Sequence, residues 1–208
     1  LFMLGYSLGR IFDNERILWL EQQGKQQELD LRSAQFQYLY LTTSADEVRA
    51  CPVLQATLKK IVTDLSNSLG KYQDYKLAST FNAEDYQLAG RRYVLDNFNY
   101  WLLVRKAKAA CGLDAVTILY FYRNDCDICP NQGVILTYFK NVFGDKLLVF
   151  PIDGGLSSDE SAVDIIQSRF NITSYPTLIV EEQKFEGVIE KDALRTIICH
   201  HFHNETSC

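Results

Sequence analysis

Apolar positions along the chain keep two different rhythms, and the change falls near residue 112. Before it they recur at steps of three and four: Ile17, Leu18, Leu20, Leu29 and Leu31, then Phe36, Tyr38, Leu39 and Leu41. That spacing predicts a helical stripe, not the alternation of a half-buried strand. The stretch from residue 10 to 110 holds one proline, Pro52, and is rich in Leu, Gln, Glu, Lys, Arg and Ala, all good helix formers. Residues 42–47 break the first stripe, and Ser44 followed by Glu47 has the spacing of a capping box. Leu54, Leu58, Ile61, Val62, Leu65 and Leu69 form a second stripe that Gly70 can stop. After a polar stretch at 72–82, Tyr86, Tyr93, Phe98, Trp101, Leu102 and Val104 mark the buried side of a third helix. Three antiparallel helices with short links would bury a shared seam. The aromatic face of the third is read as core, with a partner surface as the alternative.

Beyond Gly112 the grammar is that of an α/β domain. Residues 115–122 are a continuous β-branched and aromatic run, the mark of a strand covered on both faces. A helix begun near Cys126 runs to 141, and a second strand occupies 146–152. An amphipathic helix at 159–170 follows, then a hairpin at 177–180 and 184–186, and a closing helix at 192–199. Strands that alternate with helices and end in a hairpin predict a central mixed sheet flanked by helices. The expected organisation is an all-α region at 1–111, an α/β domain at 112–199 and a tail at 200–208.

Composition adds limits more than functions. With 208 residues, 47% hydrophobic and four prolines, the chain can build a packed core and is no disordered or collagenous protein. A net charge of -5 argues against nucleic acid as a partner, because phosphate binding needs a basic face. The opening, residues 1–9, is apolar and uncharged until Arg10. It is too short to span a bilayer but reads as the last turns of a membrane helix, or as a helix end packed on the domain. Gly5 and Gly9 have the small-xxx-small spacing of packed membrane helices, and no basic n-region marks a signal peptide. Arg10 and Arg16 are balanced by Asp13 and Glu15, so flanking charge gives no orientation.

The chemistry lies in Cys126-Asp-Ile-Cys129, directly after the first strand and at the start of a helix, where a CxxC reads as a redox pair. A helix N-terminus offers unpaired N–H groups and partial positive charge, both of which favour a thiolate on Cys126. Cys129, one turn on, can then attack a mixed disulfide and release the partner.

Residues 114–199 resemble the thioredoxin-fold family. The strand 118–122 before the CxxC, Tyr175-Pro176-Thr177 some 50 residues later, and Glu186-Gly187 before a final helix carry the resemblance. It implies a cis bond before Pro176, lying against the disulfide, with the Tyr175 backbone pairing with an extended substrate. It also implies thiol–disulfide exchange on protein thiols, with Cys126 and Cys129 catalytic and no cofactor or metal. The chain departs from the family at several places. Asp125 precedes the motif and Asp127-Ile128 fill it, so two carboxylates oppose thiolate formation and favour a thioredoxin-range, reducing potential. Tyr120 stands where thioredoxins keep a buried carboxylate, which leaves the proton acceptor for Cys129 missing or supplied elsewhere. Pro130 follows the second cysteine, a position where a missing N–H is tolerated.

More loosely, the layout resembles prokaryotic membrane-anchored thioredoxin-like proteins, which implies a membrane-associated chain with its redox domain outside the cytoplasm. Cys51 and Cys111 sit at the same end of the expected bundle, either as a structural disulfide or as two buried thiols. All three histidines lie in the tail with Cys199 and Cys208, but their spacing matches no closed zinc motif. Asn171 and Asn204 each open a glycosylation tripeptide, and Gly154-Gly155 is a loop, not a nucleotide fingerprint. The rival to an exchange enzyme is an interaction module in which the 126–129 pair is a structural disulfide.

Overall fold

A computed structural model of the chain describes residues 51, 52, 54, 56–58, 65, 69, 83–202, 206 and 208. The apolar opening, the stripe from Ile17 to Leu41, the Ser44–Glu47 cap, the polar stretch 72–82, His203 and Asn204 lie outside them. Among the described residues no helix is long and apolar enough to cross a membrane.

In chain order the elements are α1 (Ala83–Cys111), β1 (Val116–Tyr122), α2 (Cys129–Phe143), β2 (Leu147–Asp153), α3 (Ser161–Phe170), β3 (Thr177–Val180), β4 (Gln183–Glu186) and α4 (Lys191–His200). The strands form one mixed sheet in the order β2-β1-β3-β4. β1 runs parallel to β2, from Val116 opposite Leu147 to Tyr122 opposite Asp153, and antiparallel to β3. β3 and β4 are a hairpin. The central place of β1 explains its unbroken apolar run, since all its positions but Tyr122 are buried.

Alternation along the strands sorts the core into two layers. Val116, Ile118 and Tyr120, with Leu178 and Val180, face Leu136, Phe139 and Phe143 of α2 and Leu194 and Ile198 of α4. Leu119, Phe121, Phe150 and Ile179 face the opposite way, onto Val94, Phe98, Trp101 and Val104 of α1 and Val163 of α3. The aromatic face of α1 is therefore core and, among the described residues, it packs on the sheet. Tyr100 meets Phe150 edge-on at 5.4 Å between ring centroids, and Trp101 is 1% exposed. Each such side chain contributes about 1.5–3 kcal/mol by leaving water. Leu102, expected on the buried side, is 44% exposed, because it follows Trp101 by one step and points about 100° away.

Charges fasten α1 to the domain. Lys108 Nζ lies 2.6 Å from Glu181 Oε1, which also accepts the Thr117 backbone N–H at 2.8 Å. Arg105 and Arg169 both pair with Glu182, and Arg91 reaches Glu160 at 3.1 Å. Glu160 caps α3, its carboxylate accepting the Ala162 N–H. Cys51, in a helical stretch, forms a disulfide with Cys111 at the end of α1, and Cys199 forms one with Cys208. Together with Cys126–Cys129 these pair all six cysteines.

Candidate active site

β1 and β2 are parallel, so both end on the same edge of the sheet, and the loops leaving that edge build the site. Beyond Tyr122 the chain turns through Arg123-Asn124-Asp125 to Cys126, whose backbone N–H donates to the Arg123 carbonyl at 3.3 Å. Cys126 and Cys129 are joined, with Cα atoms 5.4 Å apart. Cys126 is half-buried and lines an open groove, whereas Cys129 is 2% exposed. Across the groove lie Thr173, Ser174 and Tyr175.

One sequence expectation is corrected here. The helix starts at Cys129, not at Cys126, with Ile128 as its N-cap. Two of the N–H groups expected to stabilise a Cys126 thiolate are engaged and a third is absent. Cys129 N–H donates to the Cys126 carbonyl at 3.3 Å, Asn131 N–H to the Ile128 carbonyl at 3.2 Å, and Pro130 has none. Pro130 fits because the first turn of a helix needs no N–H from it. The electrostatics also differ from a bare pair of carboxylates. Arg123 grips Asp125 through two bonds, Nε–Oδ1 at 2.9 Å and Nη2–Oδ2 at 3.1 Å, which offsets one of the two negative charges flanking Cys126. Asp127 and Ile128 are exposed on the outer wall of the groove.

The facing wall is a cis peptide bond, Tyr175–Pro176. Two hydrogen bonds hold it: the Thr177 side chain donates through Oγ1 to the Ser174 carbonyl at 2.7 Å, and Gly187 N–H donates to the Pro176 carbonyl at 2.8 Å. The Glu186-Gly187 step thus belongs to the site, with Gly187 at a positive φ of 78° that suits glycine. The Tyr175 ring lies against Gly154, where any Cβ would stand 2.5 Å from its Cε1 and Oη atoms. Gln167 of α3 donates to Tyr175 Oη at 2.8 Å and to the Gly154 carbonyl at 3.2 Å. The Arg123 guanidinium stands 5.8 Å from the ring centroid on the groove side.

Beneath the disulfide, Tyr120 occupies the place of the missing carboxylate. Its hydroxyl donates to the Cys129 carbonyl at 2.5 Å, and burial pushes its pKa up to about 12, so it is no proton acceptor near neutral pH. At the end of β2, Asp153 accepts Asn124 Nδ2 at 2.8 Å and the Gly155 N–H at 2.9 Å. Burial raises its carboxyl above the ordinary range, opposed by those two bonds and by Arg123. A second hollow walled by Asp153, Gly155 and Tyr86 shares Arg123 and Asp125 with the groove.

Arg123, Gly154, Gln167 and Asp153 were not legible as site residues in the sequence. The one available signal was the position of Asp153 at the end of the strand parallel to β1. Among the described residues no group of three His, Cys, Asp or Glu side chains could hold a metal ion, and the two tail cysteines are engaged with each other.

Residues 113–189 match the family model described as "TraF: F plasmid transfer operon protein". No curated protein matches the chain significantly. Similar solved structures include thioredoxin-2, a component of the malaria parasite protein secretion machinery, 20% identical over 42% of this chain and 84% of that one, with TM-score 0.36. Another is the germline-specific thioredoxin Deadhead of Drosophila melanogaster, 19% identical over 50% of this chain and 91% of that one, with TM-score 0.37. A third is chloroplastic thioredoxin z, 16% identical over 47% and 86%, with TM-score 0.37. Likenesses this distant add no argument about activity. The C-terminal domain is thioredoxin-like, as its strand order, its flanking helices and the family match over this part of the chain agree.

Proposed function

We propose that the protein carries out thiol–disulfide exchange on protein thiols, with Cys126 as the sulfur that meets the partner and Cys129 as the resolver. The observation that carries this reading is the asymmetry of the pair: Cys126 opens on a groove, and Cys129 is sealed at 2% exposure. A nucleophile must be reachable and a resolver need not be. A purely structural disulfide has no use for an open groove on one sulfur, walled on its far side by Thr173, Ser174 and Tyr175. An extended substrate strand would lie along Ser174 and Tyr175, its cysteine meeting Cys126. In the reducing direction the Cys126 thiolate attacks a substrate disulfide, whose S–S bond breaks and releases one substrate sulfur as a thiolate. Cys129, having lost its proton, then attacks the Cys126 sulfur, and the mixed disulfide breaks with its electron pair on the second substrate sulfur. The Cys126–Cys129 disulfide formed balances the substrate disulfide reduced, and both substrate thiolates take protons from water.

We also place the domain in an oxidising compartment outside the cytoplasm, and the Cys51–Cys111 and Cys199–Cys208 disulfides support that setting. The test is a glutathione redox titration resolved by mass spectrometry to the 126–129 pair, run beside a Cys129→Ser variant. Reversible titration and partners trapped on Cys126 support exchange. A pair that stays oxidised throughout and traps nothing leaves the structural disulfide as the correct reading.

A further inference from the structure

Gln132 is the one fully buried side chain in the first turn of α2 whose chemistry is left open. It is 0% exposed, and it lies one helical turn beyond Cys129 on the same buried face. Its Oε1 accepts the Ile189 backbone N–H at 2.7 Å. A backbone N–H can only donate, so this bond fixes which end of the amide is oxygen and sends Nε2 the other way. Nε2 has no hydrogen-bond partner among the described residues. Buried amide donors are rarely left unpaired, and each exception calls for a reason.

The reason suggested by the surroundings is a group that becomes an acceptor only in the other redox state. In the disulfide, the Cys129 sulfur is a weak acceptor; as a thiolate it is a strong one. At 2% exposure that thiolate has almost no access to water and needs a donor from the protein. Three neighbouring groups are not free to donate. Tyr120 Oη is bound to the Cys129 carbonyl, the Cys129 N–H to the Cys126 carbonyl, and Pro130 has no N–H. We propose that the Gln132 side-chain amide donates a hydrogen bond to the Cys129 thiolate once the pair is reduced, and so supports the resolving attack. The inference rests on the exchange reading. Before the attack the Cys129 proton leaves to water through the open groove at Cys126; the Cys129 sulfur then bonds to Cys126, and the bond between Cys126 and the substrate sulfur breaks with its electron pair on the substrate. The amide moves no proton; it holds the anion in place before the attack.

The experiment uses the full chain carrying Cys126→Ser, which leaves Cys129 as a free thiol, with alkylation followed against pH by mass spectrometry. Gln132→Met removes both the donor and the Ile189 bond. Gln132→Glu keeps an oxygen for Ile189 and replaces the amide donor by a carboxyl group, which adds a negative charge when ionised. The expected result is that the Cys129 titration moves up by about one pH unit in both, roughly tenfold less thiolate at neutral pH. An unchanged titration in folded Gln132→Met overturns the proposal, because that variant has no donor at the position, and assigns Gln132 to the Ile189 bond alone. Where Gln132→Met does not fold, the Gln132 side-chain amide resonances of the Cys126→Ser protein decide: a downfield move as Cys129 ionises supports the bond, and no move overturns it. Failure of the wild-type pair to exchange with glutathione is a separate result, which sinks the functional reading and leaves the titration of Cys129 readable.

Discussion

The hydroxyl of Tyr120 donates a hydrogen bond to the backbone carbonyl of Cys129 at 2.5 Å, tying the central strand to the first turn of the helix that opens at Cys129. A side chain from β1 thus props the redox turn from below, where a carboxylate would instead have exchanged protons with it. With its pKa pushed up to about 12, this phenol stays neutral throughout the working range. Because the folded value lies above the ordinary 10.0, the stability it contributes is present below pH 10 and is lost as pH rises through about 12. In an ultraviolet titration Tyr120 should contribute one late-ionising component beside those of Tyr93, Tyr100 and Tyr175, which burial also raises. Tyr120→Phe should remove that late component, cost about 1 kcal/mol in denaturant unfolding, and leave the acid limb of the exchange profile where it was. A shifted acid limb would mean that the phenol takes part in proton transfer.

Arg123 and Asp125 set the charge beside Cys126 as a pair. Arg123→Gln frees the Asp125 carboxylate and removes a cation, and both changes disfavour the thiolate. The Cys126 thiol should titrate higher and alkylate more slowly at neutral pH. Asp125→Asn should do the reverse, leaving Arg123 unpaired beside the sulfur. Movement of both variants in the same direction would show that the pair acts through the shape of the loop and not through charge.

Gly154 and Tyr175 touch too closely for any side chain to come between them. Gly154→Ala must push the ring away from Gln167 and disturb the cis-proline wall, at about 1–3 kcal/mol of overpacking. Exchange with a peptide disulfide should fall on the order of 10- to 100-fold, since small misplacements near a reacting centre are costly. Small-molecule alkylation of Cys126 should be nearly unchanged, because it does not use that wall. Equal losses in the two assays would contradict the role of Tyr175 as a substrate platform.

Asp153 gives a pH signature of its own. Its folded-state carboxyl is raised above 3.8, first by burial, so the folded protein holds a proton that the unfolded chain has lost. Its contribution is therefore fully present below pH 3.8 and is lost as pH rises through the folded value. Asp153→Asn should flatten the dependence of urea stability on pH on the acid side of neutrality and leave the protein no less stable at pH 7. A variant that is weaker at pH 7 would show that the charged form, held by Asn124 and Gly155, is the favoured one.

The fold of residues 112–199 was legible because its information is local. A central strand must be apolar on both faces, which is what 116–122 is, and a hairpin needs only two short runs and a turn. The CxxC and Tyr175-Pro176 were readable for the same reason, each being a short run with a fixed place between elements. The cis bond was implied by resemblance alone and is present.

What the sequence by itself determined is which residues are apolar at which period, and hence the elements, their order and the place of the CxxC between them. Tertiary structure alone decided what those elements face. The buried stripe of α1 looks the same in the sequence whether it meets another helix or the sheet, because hydrophobic burial has no direction and periodicity names no partner. The site was completed in the same way. Arg123 beside Asp125, Gln167 on Tyr175, Tyr120 under Cys129 and Gln132 against Ile189 are contacts of atoms whose geometry only a folded chain can fix.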